Sequence, residues 1–472
     1  MKMTLLVITT KEGTCPMYRS FILSALSVAV LSGCGGSGDS DPTTTTTPEP
    51  SGKTLTITAV YRDACGNETP DRDAALIIHN ADYSNKATVY ADDNGVISYP
   101  TTNGSETFSL VRLVQEKIDG ITPVDLLTFV DHPVIDLGKN AFQTGDSSAC
   151  ECRTSNVQVD VPARVNSYVE RSMLRGAMFD TYQKGTGSVT YQAVTQCKQS
   201  GSEQWPQLSV VNQFSSPEQA YGALFADLND GGTTEVAAEL IGTPVVINSY
   251  MSYKQVSAIV DNGNHLYNYA FNGSNDVYAF THESIENHSI TAYEYENLDN
   301  PTGDGYIFTS STVRTKEVNQ TFDLPPIALS VDDLASVLTL DGQDYDIAES
   351  GVDYAFIFIG MEASYNNRPL LAWSIFAPPS GTSINIENLN LAEFIDESAL
   401  ESKVNSLSLS VTARDWGGIA GYEDYMRRRP TRQLSTFNDP EYARAKTKTV
   451  QLTVNDLNYS QSALSNLIPT QF

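Results

Sequence analysis

The sequence predicts a mostly β, multi-domain protein, on three observations. Apolar and polar residues alternate over many short runs, such as 54–60, 157–161 and 449–454, which is the two-residue period of half-buried strands. Turns rich in Asn and Gly separate such runs, at 92–95, 261–264, 272–275 and 300–304, where residues that tolerate positive φ are needed. Helical spacing stands out only at 216–228 and 396–404.

The N-terminus carries an address. Residues 17–34 read MYRSFILSALSVAVLSGC. Arg19 supplies a positive start, and 21–31 is an apolar run too short to span a bilayer. The run closes on Leu31, Ser32, Gly33 and Cys34. These residues resemble the lipobox of bacterial lipoproteins. The resemblance implies cleavage before Cys34, lipid on Cys34 and attachment to a membrane outside the cytoplasm. In such lipoproteins an Asp after the Cys favours inner-membrane retention. Gly35 stands here, so the resemblance implies the outer membrane, with the body facing the periplasm or the cell surface. The alternative is an ordinary secretory signal with a chance Cys. Residues 1–16 read as an extension from an upstream start, and 1–33 are set aside from the fold. Residues 34–52 are dominated by Gly, Ser, Thr and Pro and form a tether with nothing to bury.

The formal charge of −28 becomes −30 once Lys2, Lys11, Arg19 and Glu12 leave with the signal. Such a chain repels nucleic acid over a long range, which excludes DNA or RNA as partner. Four cysteines follow Cys34: Cys65, Cys150, Cys152 and Cys197. An even count in an oxidising compartment predicts two disulfides. Cys150 and Cys152 are too close to pair with each other. The expected bonds are Cys65–Cys150 and Cys152–Cys197, with the crossed pairing as alternative. Zinc on four thiolates is disfavoured by the spacing and the compartment.

Three units follow the tether. The first, 53–148, offers strands at 54–60, 75–79, 86–90, 96–99 and 107–111, with Asn94-Gly95 predicting a hairpin. This strand, D-x-N-G turn, strand pattern resembles the small Ig-like or prealbumin-like sandwiches of carboxypeptidase-regulatory modules. The resemblance implies a spacer with no catalytic residues. The second unit, 149–325, reads as an antiparallel meander with strands at 157–161, 188–195, 207–211, 244–253, 255–260, 265–271, 276–281, 289–295 and 305–314. One helix over 216–228 is expected to cover it. Ser216 suits the N-cap, Pro217 the first turn, and Tyr221, Leu224, Phe225 and Leu228 form an apolar stripe. The third unit, 326–472, has core-strand candidates at 355–359 and 370–376, alternation at 383–386, 407–413 and 449–454, and a short helix at 396–404. A C-terminal β-sandwich fits it.

Chemistry is sparse. His282 and His288 flank Glu283 and Glu286, but six residues apart they do not share a helical face and match no HExxH site. They read as surface histidines at a hairpin. No G-x-S-x-G elbow, phosphate loop or GxGxxG occurs. No catalytic residue is assigned and no cofactor is expected. Calcium on an acidic loop is the one metal kept open. Asp227, Asn229 and Asp230 suggest such a loop, yet Gly231 and Ala238 stand where further ligands belong.

The most unusual segment runs from Arg414 to Arg429. It holds Trp416, Tyr422, Glu423, Tyr425, Arg427, Arg428 and Arg429 among glycines. Flat rings beside carboxylates and guanidinium groups suit a glycan or peptide site on a loop. The competing expectation, and the preferred one, is that Trp416 plugs the core. The sequence therefore predicts an outer-membrane lipoprotein that binds or scaffolds, held to the membrane by its lipid, with a protein or glycan as ligand. The alternative from another class is a secreted glycan hydrolase with an unlocated carboxylate pair.

Overall fold

The computed structural model describes residues 52–455, apart from 115, 145–147, 216–217, 261–262, 271–275, 299–302, 338–341, 348–353, 386–387 and 429–443. The signal, Cys34, the tether to residue 51 and Arg429 lie outside the described residues. The first unit supplies β1 (Lys53–Arg62), β2 (Glu68–Pro70), β3 (Ala75–His79), β4 (Asn85–Tyr90), β5 (Val96–Thr101), β6 (Ser105–Leu113), β7 (Val124–Pro133) and β8 (Asp136–Gln143). The second begins with β9 (Cys150–Asp160), β10 (Arg171–Arg175), β11 (Thr181–Lys184), β12 (Ser188–Gln199), β13 (Leu208–Ser215), β14 (Glu218–Phe225), β15 (Thr233–Ala237) and β16 (Leu240–Ile241). It continues with β17 (Thr243–Asn248), β18 (Tyr253–Val260), β19 (Gly263–Tyr269), β20 (Val277–Ala279), β21 (Asn287–Leu298), β22 (Gly303–Thr315) and β23 (Thr321–Asp323). The third holds α1 (Val331–Ser336), β24 (Asp344–Asp346), β25 (Tyr354–Tyr365), β26 (Arg368–Ala377), β27 (Ser380–Thr382), α2 (Glu397–Lys403), β28 (Ser406–Gly417), α3 (Tyr422–Arg428) and β29 (Arg444–Asn455).

One twelve-stranded sheet runs through all three units, in the order β19-β18-β21-β22-β29-β28-β25-β26-β7-β6-β3-β4. The expected divisions near 148 and 325 are thus bridged by backbone hydrogen bonding. β22 pairs with β29, and β26 runs parallel to β7. At the β4 end, β1, β2, β5 and β8 form a second layer. Leu55, Ile57 and Ile97 pack there with Leu76, Phe108, Leu110 and Phe129. This is the sandwich expected for 53–148, with one of its sheets continued into the rest of the molecule. On the opposite face, Ile357, Ile359, Trp373, Leu409 and Val411 are covered by Leu334 of α1, Tyr345 of β24 and Leu400 of α2. The predicted helix at 396–404 is α2, and Asp396 caps it by accepting from the Ala399 N–H at 3.0 Å.

Within the same sheet a polar chain is buried. Trp373 Nε1 donates to Thr128 Oγ1 at 2.8 Å, Thr128 bonds Ser109 at 2.6 Å, and Ser109 bonds His79 Nε2 at 2.8 Å. Burial pushes the His79 pKa down to about 4, so the imidazole is neutral at physiological pH.

Two sequence expectations are corrected here. The first is the hairpin at Asn94-Gly95. The turn exists, with the Gly95 N–H bonded to the Asp92 carbonyl and φ of 76°. It links β4 to β5, however, which lie in different layers: β4 pairs with β3, and β5 with β1. A Cβ at Gly95 would stand 2.3 Å from the Ala59 carbonyl. Glycine is therefore demanded by the close approach of β1 as well as by φ.

The second is the covering helix at 216–228. Residues 218–225 are β14, paired along its length with β13. It lies in the sheet β10-β13-β14-β16, and its middle residues are buried on both faces. Tyr221 and Ala223 point into a core shared with β9-β12 residues such as Val157, Val159 and Tyr191. Ala220 points the other way, with Ala258, Leu266, Tyr278 and Phe280. A strand buried on both faces is apolar at successive positions and loses its period of two. That run imitated a helical stripe. Gly222 fits the strand, because a Cβ there would meet Leu266 at 2.7 Å.

Candidate binding face

The pairing register builds an aromatic face at the β19 end of the twelve-stranded sheet. Tyr253 of β18 lies opposite Tyr293 of β21, and Tyr295 lies opposite Phe308 of β22. Directly opposed residues project on the same side, so their rings meet. Tyr253 and Tyr293 stack at 5.2 Å with an 11° tilt, and Tyr295 and Phe308 lie 4.9 Å apart. Tyr306 extends the row, 6.1 Å from Tyr295, and its hydroxyl donates to Gln451 Oε1 at 2.5 Å. On the other flank Tyr267 and Tyr269 of β19 join it, 6.3 Å apart, and the Tyr267 hydroxyl bonds Gln255. The rings come from four adjacent strands, which at ordinary spacing make the row roughly 15 Å wide. Tyr253 is 47% and Tyr295 53% exposed, so both rings offer open surface.

Burial holds Tyr267, Tyr293, Tyr295 and Tyr306 in the neutral form. It pushes Tyr293 up to about 12, and it also raises Tyr267, Tyr295 and Tyr306. The face therefore presents ring surfaces and neutral hydroxyls.

At its edge the face meets β10. Alternation along β10 turns Leu174 into the neighbouring core and sets Arg171 and Arg175 toward β19. Arg171 lies over the Tyr269 ring at 4.5 Å and Arg175 over the Tyr267 ring at 4.8 Å. A cavity of about 260 Å³ opens there, lined by Glu170, Arg171, Ser172, Tyr182, Lys184 and Tyr269, among others. Glu170 is the one carboxylate among its lining residues.

The residues singled out from the sequence lie elsewhere. The segment after Trp416 is not an irregular loop: Tyr422–Arg428 is α3. Trp416, Tyr422 and Tyr425 are 6%, 8% and 1% exposed and belong to the core beneath β1 and β5. The Tyr422 hydroxyl donates to the Val130 and Phe376 carbonyls at 2.6 and 3.1 Å. Glu423 pairs with Arg427, and Asp424 with Arg428, one helical turn apart. These rings serve packing, and Trp416 occupies the core position expected for it. Glycines were what suggested a loop. Gly421, at φ of 84°, instead precedes the helix start.

Cys65–Cys150 and Cys152–Cys197 are the disulfides, as expected. The one grouping among the described residues that could hold a metal joins Asp63 to Cys65 and Cys150, whose sulfurs are bonded to each other. In the acidic loop, Asp230 accepts from the Thr154 N–H at 2.9 Å and Asn229 donates to the Thr233 carbonyl at 3.3 Å. His282 is exposed and bonds Ser284. His288 is not a surface residue: it is 5% exposed, its Nε2 bonds the Phe280 carbonyl at 2.9 Å, and burial lowers its pKa.

Sequence reasoning missed the tyrosine face, although a signal was present. Tyr267-x-Tyr269, Tyr293-x-Tyr295 and Tyr306-x-Phe308 repeat aromatics at the strand period, which puts each pair on one side of a strand. No protein-family model matches the chain, and no curated protein matches it in sequence.

Proposed function

We propose that this chain is an extracytoplasmic binding protein, tethered through lipidated Cys34, that holds a glycan against the tyrosine face. The observation that carries the reading is the row of exposed and half-buried rings from Tyr267 to Tyr306, edged by amides and hydroxyls. A sugar ring offers one flat C–H face and a rim of hydroxyls. Aromatic stacking suits the first and fixed polar groups the second. Binding fits the site better than hydrolysis. Two-carboxylate chemistry needs a second acid near Glu170, and the cavity lining supplies only one.

A screen of immobilised polysaccharides tests this. The double variant Tyr253→Ala, Tyr295→Ala should weaken retention about tenfold or more, equivalent to ~1.4 kcal/mol. Both rings are half-exposed, so the variant should stay folded, with a modest fall in melting temperature from the lost ring pairs. Unchanged retention would remove the face from the site.

The tether has its own test. No described helix is long and apolar enough to cross a membrane. Cys34→Ala should therefore move the protein from the membrane fraction to the soluble fraction. A wild-type protein that is soluble, with no lipid mass on its N-terminal peptide, would refute the anchor.

A further inference from the structure

We propose that the cavity at the β19 end of the face selects acidic oligosaccharides, taking a carboxylate or sulfate of the sugar on Arg175, Arg171 and Lys184. This rests on the glycan-binding reading and specifies its ligand.

The cations are built into the site by the strand pattern. Arg171 and Arg175 are four residues apart on β10, so both side chains leave the same side of the strand. Each guanidinium lies over a phenol ring of β19. A stacked guanidinium keeps its N–H donors in its own plane, where a planar or tetrahedral oxyanion can meet two of them. Arg175 is exposed and makes no ion pair among the described residues. Lys184 lines the same cavity, and its ammonium donates to the Glu170 carbonyl at 2.7 Å, which fixes it there. Arg171 and Lys184 thus line one small cavity whose lining holds a single carboxylate, and Arg175 stands beside it, over the ring of the lining residue Tyr267.

The charge of the whole chain narrows the ligand further. At −28 the protein repels dense polyanions at a distance. That repulsion is screened beyond about 8 Å at physiological ionic strength, so within the cavity the local cations decide. A short or sparsely charged glycan satisfies both conditions. A peptide added as a further strand does not fit this edge. The outer side of β19 is already engaged: the Leu266 N–H donates to Ser209 Oγ at 3.0 Å. Asn268 also exchanges bonds with the Tyr278 backbone at 2.6 and 2.8 Å.

The test compares tetragalacturonate with its methyl ester, a sulfated carrageenan tetrasaccharide and neutral maltotetraose, by calorimetry on the mature chain. At least one charged sugar should bind about tenfold tighter than the ester and maltotetraose. Which one does so separates carboxylate from sulfate recognition. Arg175→Gln should remove most of that preference, so that the charged sugar binds about as the ester does. Lys184→Gln is the second variant, read the same way. The preference should also shrink as salt rises from about 0.05 to 0.5 M. Equal wild-type affinity for charged and uncharged sugars, or a preference that survives Arg175→Gln, overturns this inference and leaves the tyrosine face standing. Failure of all four sugars and of the polysaccharide screen overturns both.

Discussion

Trp416→Ala should lower the unfolding free energy by about 3–5 kcal/mol, the usual cost of removing a large buried ring. Trp416 is the penultimate residue of β28 and is 6% exposed. Its ring lies 6.2 Å from Phe356 and 5.7 Å from Tyr425, with the Arg414 guanidinium 5.3 Å above it. The indole is thus one of the contacts between the twelve-stranded sheet and α3. Ala would leave a cavity lined by Phe356 and Tyr425, which other bonds hold in place. Tyr425 is itself packed on Phe356 at 4.5 Å, and Tyr422 is pinned through its hydroxyl to β7 and β26. Partial collapse is therefore obstructed, and the cost should sit in the upper part of the range. Burial of the Arg414 side chain, which lowers its pKa, adds to this, because its favourable ring contact disappears. Urea unfolding of the variant measures the effect. A loss below about 1 kcal/mol would mean that the ring is not a core element.

The same segment shows how far the sequence could be read. The strands of the second and third units were legible because their half-buried faces keep a period of two: 289–295 lies in β21, 305–314 in β22 and 407–413 in β28. β14 was not legible, because both of its faces are buried and the period vanishes. The course of the twelve-stranded sheet was not legible either. β7 and β26 are joined by pairs such as Leu126 with Trp373, and a contact that distant leaves no local pattern in either strand. The aromatic face was half legible. The tyrosine pairs two residues apart were visible, but their assembly into one surface depends on the registers of β18, β21 and β22. Composition pointed instead to Trp416–Arg429, where aromatics and arginines crowd together in the chain. In the fold those aromatics turn inward, whereas the tyrosines of the face come from four separate stretches.

Loss of the two disulfides should be the other large effect. Each is expected to contribute about 2–4 kcal/mol through restriction of the unfolded chain. Cys65–Cys150 closes 85 residues and joins the loop after β1 to the start of β9. Cys152–Cys197 closes 45 residues between β9 and β12, at positions already opposed in the ladder. The loop-entropy relation makes the longer closure worth about 0.6 kcal/mol more. It is also the one that ties the first unit to the second by a covalent link. Native protein should resist alkylation at all four cysteines until a reductant is added, and a peptide map should recover these pairs and not the crossed ones. The paired variants Cys65→Ser, Cys150→Ser and Cys152→Ser, Cys197→Ser then separate the two contributions. The first pair should destabilise more, and it should loosen the β1-β8 ladder around Arg62 and Gln143, which hydrogen exchange can localise. The second should act on β9 and β12, where backbone pairing continues on both sides of the bond and limits the local damage. Free thiols in the native protein, or equal and negligible losses from both pairs, would show that the bonds do not constrain the chain as argued.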